Sequence, residues 1–312
     1  MKVDVVAMAN GSPSGVGAVF DVFDAANKLF GDTAFEIRCL GVDGEPIRLR
    51  GGLRLAVEDL SEAAPAPWVV VPGIGATTPE LMTERLAEPD IEVVADWLKG
   101  ARHSTLVGAC TATFVLGRAG ALDNRSCTTT WWLAGLLGTL FPLARVDADR
   151  MVVQDGRTWT GGASFSQIDL ALAIVEHHHG TLARAVANRL AFERRLSQAD
   201  FVTASGYAAS PEIAAIESYV LANLTEPITL ADLASEAGVS ARTLSRRTTA
   251  VTGRSPMQLV QHIRLQVALE KLRTSREPAL HIAHSVGLAD AASLYRLVKQ
   301  TTGRTPSQFR AQ

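Results

Sequence analysis

Cys110 is the residue most plainly placed for chemistry. It closes the apolar run Leu106-Val-Gly-Ala and is followed at once by Thr111-Ala-Thr113. A strand that turns sharply into a helix at a cysteine has the shape of a nucleophile elbow. The positive end of that helix favours a thiolate. Pro72-Gly73-Ile74-Gly75 closes another apolar run and can turn backbone N–H groups toward an oxyanion. The same cysteine also reads as a small residue buried at a tight turn. His177, His178 and His179 invite a metal reading, but three successive helical side chains point in different directions and cannot share one ion. Gly161-Gly162 lacks the spacing of a dinucleotide fingerprint and reads as a turn. Neither a metal site nor a cofactor is expected.

A second set of residues suits a polyanion. Residues 229–248 read TLADLASEAGVSARTLSRRT. Thr229 caps a helix with Asp232 three residues on, Gly238 ends it, and Ser240 caps the next. In that second helix Leu244 points to the core. Ala241, Arg242, Thr243, Ser245 and Arg246 lie on the side that can enter a major groove about 12 Å wide. Residues 280–299 repeat the pattern around Gly287 and Asp290. There Ala291, Ala292, Ser293, Tyr295, Arg296 and Lys299 are the groove candidates. The repeat is explicit in TGRSPMQ (252–258) and TGRTPSQ (302–308), offset by 50 residues, which marks a duplicated unit. Each arginine can read a guanine edge, hold a phosphate or serve an internal ion pair. Ser255-Pro256 starts a helix of about 27 Å, long enough to set two reading heads near one DNA turn apart, about 34 Å.

These elements imply a two-part chain. Apolar strand-like runs at 3–8, 35–40, 68–71, 104–109 and 159–162 alternate with helical stretches at 16–30, 91–99, 111–119 and 167–178. Gly100 reads as the stop of the helix at 91–99. Such alternation predicts an α/β domain with a parallel sheet covered on both faces, over residues 1–195. The pattern fades over a linker at 196–210, and 211–312 reads as an all-α domain with two helix-turn-helix units. Residues 211–312 hold 12 lysines and arginines against 8 acids, a formal +4, and the remainder carries −6, so only one end suits DNA. No apolar run reaches membrane-spanning length, and the N-terminus lacks the apolar core of a signal peptide. Three scattered cysteines fit a reducing cytoplasm better than a disulfide framework.

The C-terminal part closely resembles the AraC family over residues 211–312. The run LASEAGVSARTLSR (233–246) carries the first unit. Ile282, Ala283, Gly287, Asp290, Arg296, Lys299, Gly303, Pro306, Phe309 and Arg310 carry the second. Thr248, Leu294 and Val298 stand where that family usually has Phe. Residues 3–195 resemble the PfpI-like branch of the class I glutamine amidotransferase superfamily, with a flavodoxin-like sandwich fold. The marks are Phe23, Ala26, Asn27, Val70–Gly73, Cys110-Thr111, the run AGAL (119–122), the run TTWW (129–132) and the run DLAL (169–172). The combination resembles GlxA-type regulators. The resemblance implies a double-stranded DNA partner, a homodimer and a small-molecule effector. The catalytic pattern is broken: Thr111 and Thr130 stand where relatives carry histidine, and the expected acid falls on Gly15. A thiol without a base lacks its activating partner, so no enzyme activity is expected. Gly73, Cys110, Thr130, Trp131, Gly161 and Gly162 are the expected lining of a ligand pocket. The rival reading is a cysteine-dependent amidase or glyoxalase-like enzyme with an accessory helical domain.

Overall fold

The computed structural model describes residues 1–201 and 210–310, so residues 202–209 of the expected linker lie outside the described residues. The chain divides into two compact units, residues 1–133 with 140–195 and residues 134–139 with 196–312. Ser197, Gln198 and Ala199 are buried and belong to the second unit.

In the first unit the strands are β1 (Lys2–Val6), β2 (Glu36–Gly41), β3 (Ile47–Arg48), β4 (Arg54–Leu55), β5 (Glu58–Asp59), β6 (Trp68–Val71), β7 (Thr105–Ala109), β8 (Ser126–Cys127), β9 (Arg145–Val146), β10 (Val152–Asp155) and β11 (Thr158–Gly161). Among the described residues, seven of them form one sheet in the order β10-β11-β7-β6-β1-β2-β5. Every pairing is parallel except β10 with β11. The sheet is thus the expected parallel one, with a single antiparallel strand at its edge. Gly156, at φ +59°, closes a tight turn between these two strands, and a turn that short can only reverse the chain.

The helices of this part are α1 (Pro13–Phe30), α2 (Pro79–Arg85), α3 (Pro89–Gly100), α4 (Thr113–Arg118), α6 (Ser166–His179) and α7 (Leu182–Arg189), while α5 (Ala134–Leu140) belongs, but for its last residue, to the second unit. Side-chain alternation along the strands sends Val3, Val5, Val70, Val107 and Trp159 into one apolar cluster with α1, α6 and α7. Gly108 points the other way, onto Leu116 of α4. Gly100 is the last residue of α3, and Ala101 takes the capping position expected of the glycine. The short pairs β3–β4 and β8–β9, and helices α5 and α7, are additions to the expected elements. In the middle of the sheet Asp4, 1% exposed, accepts two hydrogen bonds from Arg38 at 2.9 Å each and one from the Ala66 N–H at 2.8 Å. Those three donors are what allow a carboxylate to sit there.

The second unit carries α8 (Pro211–Ala222), α9 (Leu230–Glu236), α10 (Ala241–Thr252), α11 (Pro256–Thr274), α12 (Ala279–Ser285), α13 (Ala291–Thr302) and α14 (Pro306–Arg310). The repeated heptapeptide is a helix-end module. The Thr252 and Thr302 hydroxyls each donate to the carbonyl four residues back at 2.8 Å, to Thr248 and Val298. They accept from the Arg254 and Arg304 N–H groups at 3.0 and 3.1 Å. Gly253 and Gly303 cap the helices at φ +70° and +75°, a region that favours glycine. Gln258 and Gln308 then accept from the N–H groups of Ser255 and Thr305 at 2.8 and 2.7 Å, starting the next helix. No helix of the described residues is long and apolar enough to cross a membrane.

Two stability outcomes follow. Thr248 is fully buried and its hydroxyl has no partner, while the repeat places Val298 in the same slot. Thr248→Val should stabilise the helical part by about 1 kcal/mol, read as a higher urea midpoint by far-ultraviolet circular dichroism. Arg38→Met strips the buried Asp4 of its cation and should cost the α/β part about 3 kcal/mol. All five tryptophans lie in residues 68–159, so their fluorescence reports that part alone.

Candidate functional site

The first candidate surface is built on α10 and α13. The Ser240 side chain accepts from the Thr243 N–H at 3.2 Å and caps α10. Asp290 accepts from the Ser293 N–H at 2.6 Å and caps α13. Leu244 and Leu294 are both fully buried, which locks the rotation of each helix and decides which residues look out. On α10, Arg242 and Arg246 are exposed, and Ala241, Thr243 and Ser245 are half-buried beside them. On α13, Ala292, Tyr295, Arg296 and Lys299 are exposed, and Ala291 and Ser293 are half-buried. The outward faces thus carry the expected groove residues. Arg247, which also lies outward, is tied to Glu212 of α8 by an ion pair. Thr243 is spent in part on the cap, with its hydroxyl 2.9 Å from that of Ser240.

The second candidate site lies at the carboxyl ends of β6, β7 and β11, beside the point where the strand order reverses at β1. Cys110 sits there at φ +58°, the strained turn of an elbow, and is 7% exposed. A Cβ added at Gly73 would lie 3.6 Å from the cysteine's Cβ, and Gly161 pairs in register with Ala109. The Thr129 hydroxyl donates to the Cys110 carbonyl at 2.8 Å, which brings Thr130 alongside. Trp131 packs edge to face on Trp132, and the Gly162 N–H donates to the Met151 carbonyl at 2.8 Å. Among the described residues, three buried polar atoms here find no hydrogen-bond partner: Thr130 Oγ1, Ser166 Oγ and Gln167 Oε1.

The chemistry of an activated thiol is dismantled at each element. Burial pushes the Cys110 thiol up to about 11, against the opposing effects of Thr111, the Ser164 hydroxyl and the charge of Arg50. Desolvation of the thiolate therefore outweighs the favourable helix end anticipated from the sequence. The Ile74 N–H, an expected oxyanion donor, is committed to Thr111 Oγ1 at 2.9 Å. A Cβ at Gly15 would meet Gln167 Nε2 at 2.9 Å, so the Gln167 amide fills the space an acidic residue at position 15 would need. Gln167, Ser166 and Ser164 are site residues the sequence reading missed. Their only signal was their place at the start of α6, directly after the Gly161-Gly162 turn. The three histidines are elsewhere, stacked on an aromatic cluster. His177 meets Trp68 and Trp159 at 5.6 Å, His178 meets Trp68 at 5.4 Å, and His179 meets Phe30 at 4.7 Å.

The sequence profile of the DJ-1/PfpI family matches residues 14–177. The chain belongs to the DJ-1/PfpI family. A helix-turn-helix domain profile matches residues 233–312 of this DJ-1/PfpI chain. It is 27% identical to the HTH-type transcriptional regulator GlxA of Rhizobium meliloti, over 92% of this chain and 88% of that protein. Over 45% of its length it is 33% identical to the isonitrile hydratase of Pseudomonas putida, covering 58% of that enzyme. The crystal structure of an AraC family transcriptional regulator from Pseudomonas putida superposes with a TM-score of 0.52 and 25% identity, over 61% of this chain and 98% of that one. A DJ-1/PfpI domain joined to an AraC-type helix-turn-helix domain makes this chain a transcriptional regulator.

A thiol held near 11 is almost entirely protonated at neutral pH. Alkylation of Cys110 by iodoacetamide, followed by mass spectrometry of the native protein, should therefore keep accelerating up to at least pH 9. A rate that levels off between pH 5 and 7 would show an activated thiolate instead.

Proposed function

We propose that this DJ-1/PfpI chain is a ligand-responsive regulator in which residues 211–312 read double-stranded DNA and residues 1–195 bind a small polar effector. The observation that carries the DNA reading is the duplicated helix-turn-helix with its outward arginines. Two copies of one cap-and-turn module present Arg246 and Arg296 from equivalent slots. The 19-residue α11 between them is about 28 Å long, which suits adjacent major grooves on one face of a duplex.

The effector reading rests on the strand-end site. Unpartnered hydroxyl and amide groups of Thr130, Ser166 and Gln167 are costly when buried and are satisfied by a bound polar molecule. Gly73, Cys110 and Gly161 lie beside these groups at the strand ends, with Trp131 and Gly162 on the flanking turns. An effector acts by binding one arrangement of the chain better than another, whatever it touches directly. Homodimerisation through the α/β domain, a cytoplasmic location and the absence of catalysis complete the proposal.

A second reading is a cysteine enzyme, favoured by the strained elbow at Cys110 and by the partial likeness to a hydratase. The raised thiol, the committed Ile74 N–H and the neutral Gln167 weigh against it. Turnover of an isonitrile or amide that vanishes in Cys110→Ser would establish it.

For the regulatory reading, genome-wide footprinting supplies a bound promoter fragment. The double substitution Arg246→Ala with Arg296→Ala should weaken binding to that fragment by about 100-fold in a gel shift at matched salt. Unchanged affinity would remove these helices from the interface.

A further inference from the structure

We propose that the two reading helices divide the operator by base chemistry: α10 takes guanine edges through Arg242 and Arg246, and α13 takes thymine methyl edges through Tyr295 and Ala292. This rests on the DNA reading above and adds which bases each helix selects.

The helices share one scaffold, so they can be compared slot by slot at the 50-residue offset. Leu244 and Leu294 fill the same buried slot, and Arg246 and Arg296 the same exposed one. Around that shared arginine the slots diverge. Arg242 is matched by Ala292, and Ser245 by Tyr295. The outward face of α10 therefore carries two arginines at these slots, while that of α13 sets Ala292 and Tyr295 beside Arg296 and Lys299.

The state of the cations differs as well. Arg242 and Arg246 are exposed and make no hydrogen bond or ion pair among the described residues, while their neighbour Arg247 is held by Glu212. An unengaged guanidinium offers two parallel N–H groups, which match the O6 and N7 acceptors of guanine. On α13, Arg296 already donates to Ser293 Oγ at 3.2 Å and Lys299 to the Gly303 carbonyl at 3.1 Å.

The caps reinforce the division. Ser240 leads α10 without charge. Asp290 leads α13 with a carboxylate, kept ionised by the Ser293 backbone and side chain and by Arg296. A carboxylate near the base edges repels the paired acceptors of guanine. Thymine shows a single acceptor, O4, beside a methyl group, and that methyl meets the Ala292 methyl and the Tyr295 ring, which is 48% exposed.

The test is selection of random duplexes by the full chain, followed by affinity measurements on the enriched site. Two boxes about one DNA turn apart are expected, one specifying guanine and the other thymine. Arg242→Ala and Arg246→Ala should each relax a guanine position by about tenfold and leave the second box intact. Replacing thymine by uracil in the second box removes only the methyl. It should weaken the wild type about fourfold and Tyr295→Ala hardly at all. Arg242, Arg246 and Tyr295 are exposed, so these three variants keep the fold. Guanine specified in both boxes, guanine preference that survives both arginine substitutions, or indifference to uracil would each overturn the division while leaving DNA reading in place. Failure to enrich any sequence would overturn the DNA reading itself.

Discussion

The second half of the chain depends on one local interaction made twice: a threonine hydroxyl near the end of a reading helix that bonds backward and forward at once. Thr252 and Thr302 each give a proton to the preceding turn and take one from the N–H two residues on. A glycine in left-handed geometry sits between, and a Ser or Thr with its glutamine begins the next helix. The module fixes where each reading helix stops and in which direction the chain leaves. Placing it at the end of both units gives both the same exit. Arg242, Arg246, Ala292 and Tyr295 take no part in that helix-end geometry, so these outward positions can differ between the two units.

The first half keeps the backbone of a nucleophile elbow while its surroundings disfavour a thiolate. The elbow at Cys110 remains, with its positive φ and its place at the strand ends. What has gone is the charge pattern that makes such a turn reactive. Gly15 and Gln167 are mutually fitted: the amide occupies the room that a larger residue at position 15 would claim, so one change without the other would clash. A neutral amide cannot accept the thiol proton, and burial opposes the thiolate. The same substitutions leave hydroxyl and amide groups without partners at the strand ends.

Much of this was legible in the residues alone. The sheet strands and principal helices were visible because their apolar periods differ, two residues against three to four. The caps at Thr229, Ser240, Ser255 and Asp290 were visible because capping depends on neighbours within three residues. The antiparallel edge at β10 was not, since strand direction at an edge depends on the turn that closes it. Helix α7 and the two short strand pairs escaped because they offer too few residues to show a period.

The sequence by itself determined the two-part build, the duplicated reading unit and the loss of the catalytic partners, because each is written in residue identity or short-range spacing. Only the tertiary structure decided the state of the groups those residues carry. Cys110 looked activated by a helix end but is suppressed by burial, and desolvation depends on everything packed around the sulfur. Gln167 was silent in the sequence because its neighbours, Gly15 and Gly73, come from two distant segments. Arg246 and Arg247 are adjacent and alike on paper. One is open and the other is tied to Glu212, a distinction that exists only once α8 lies against α10.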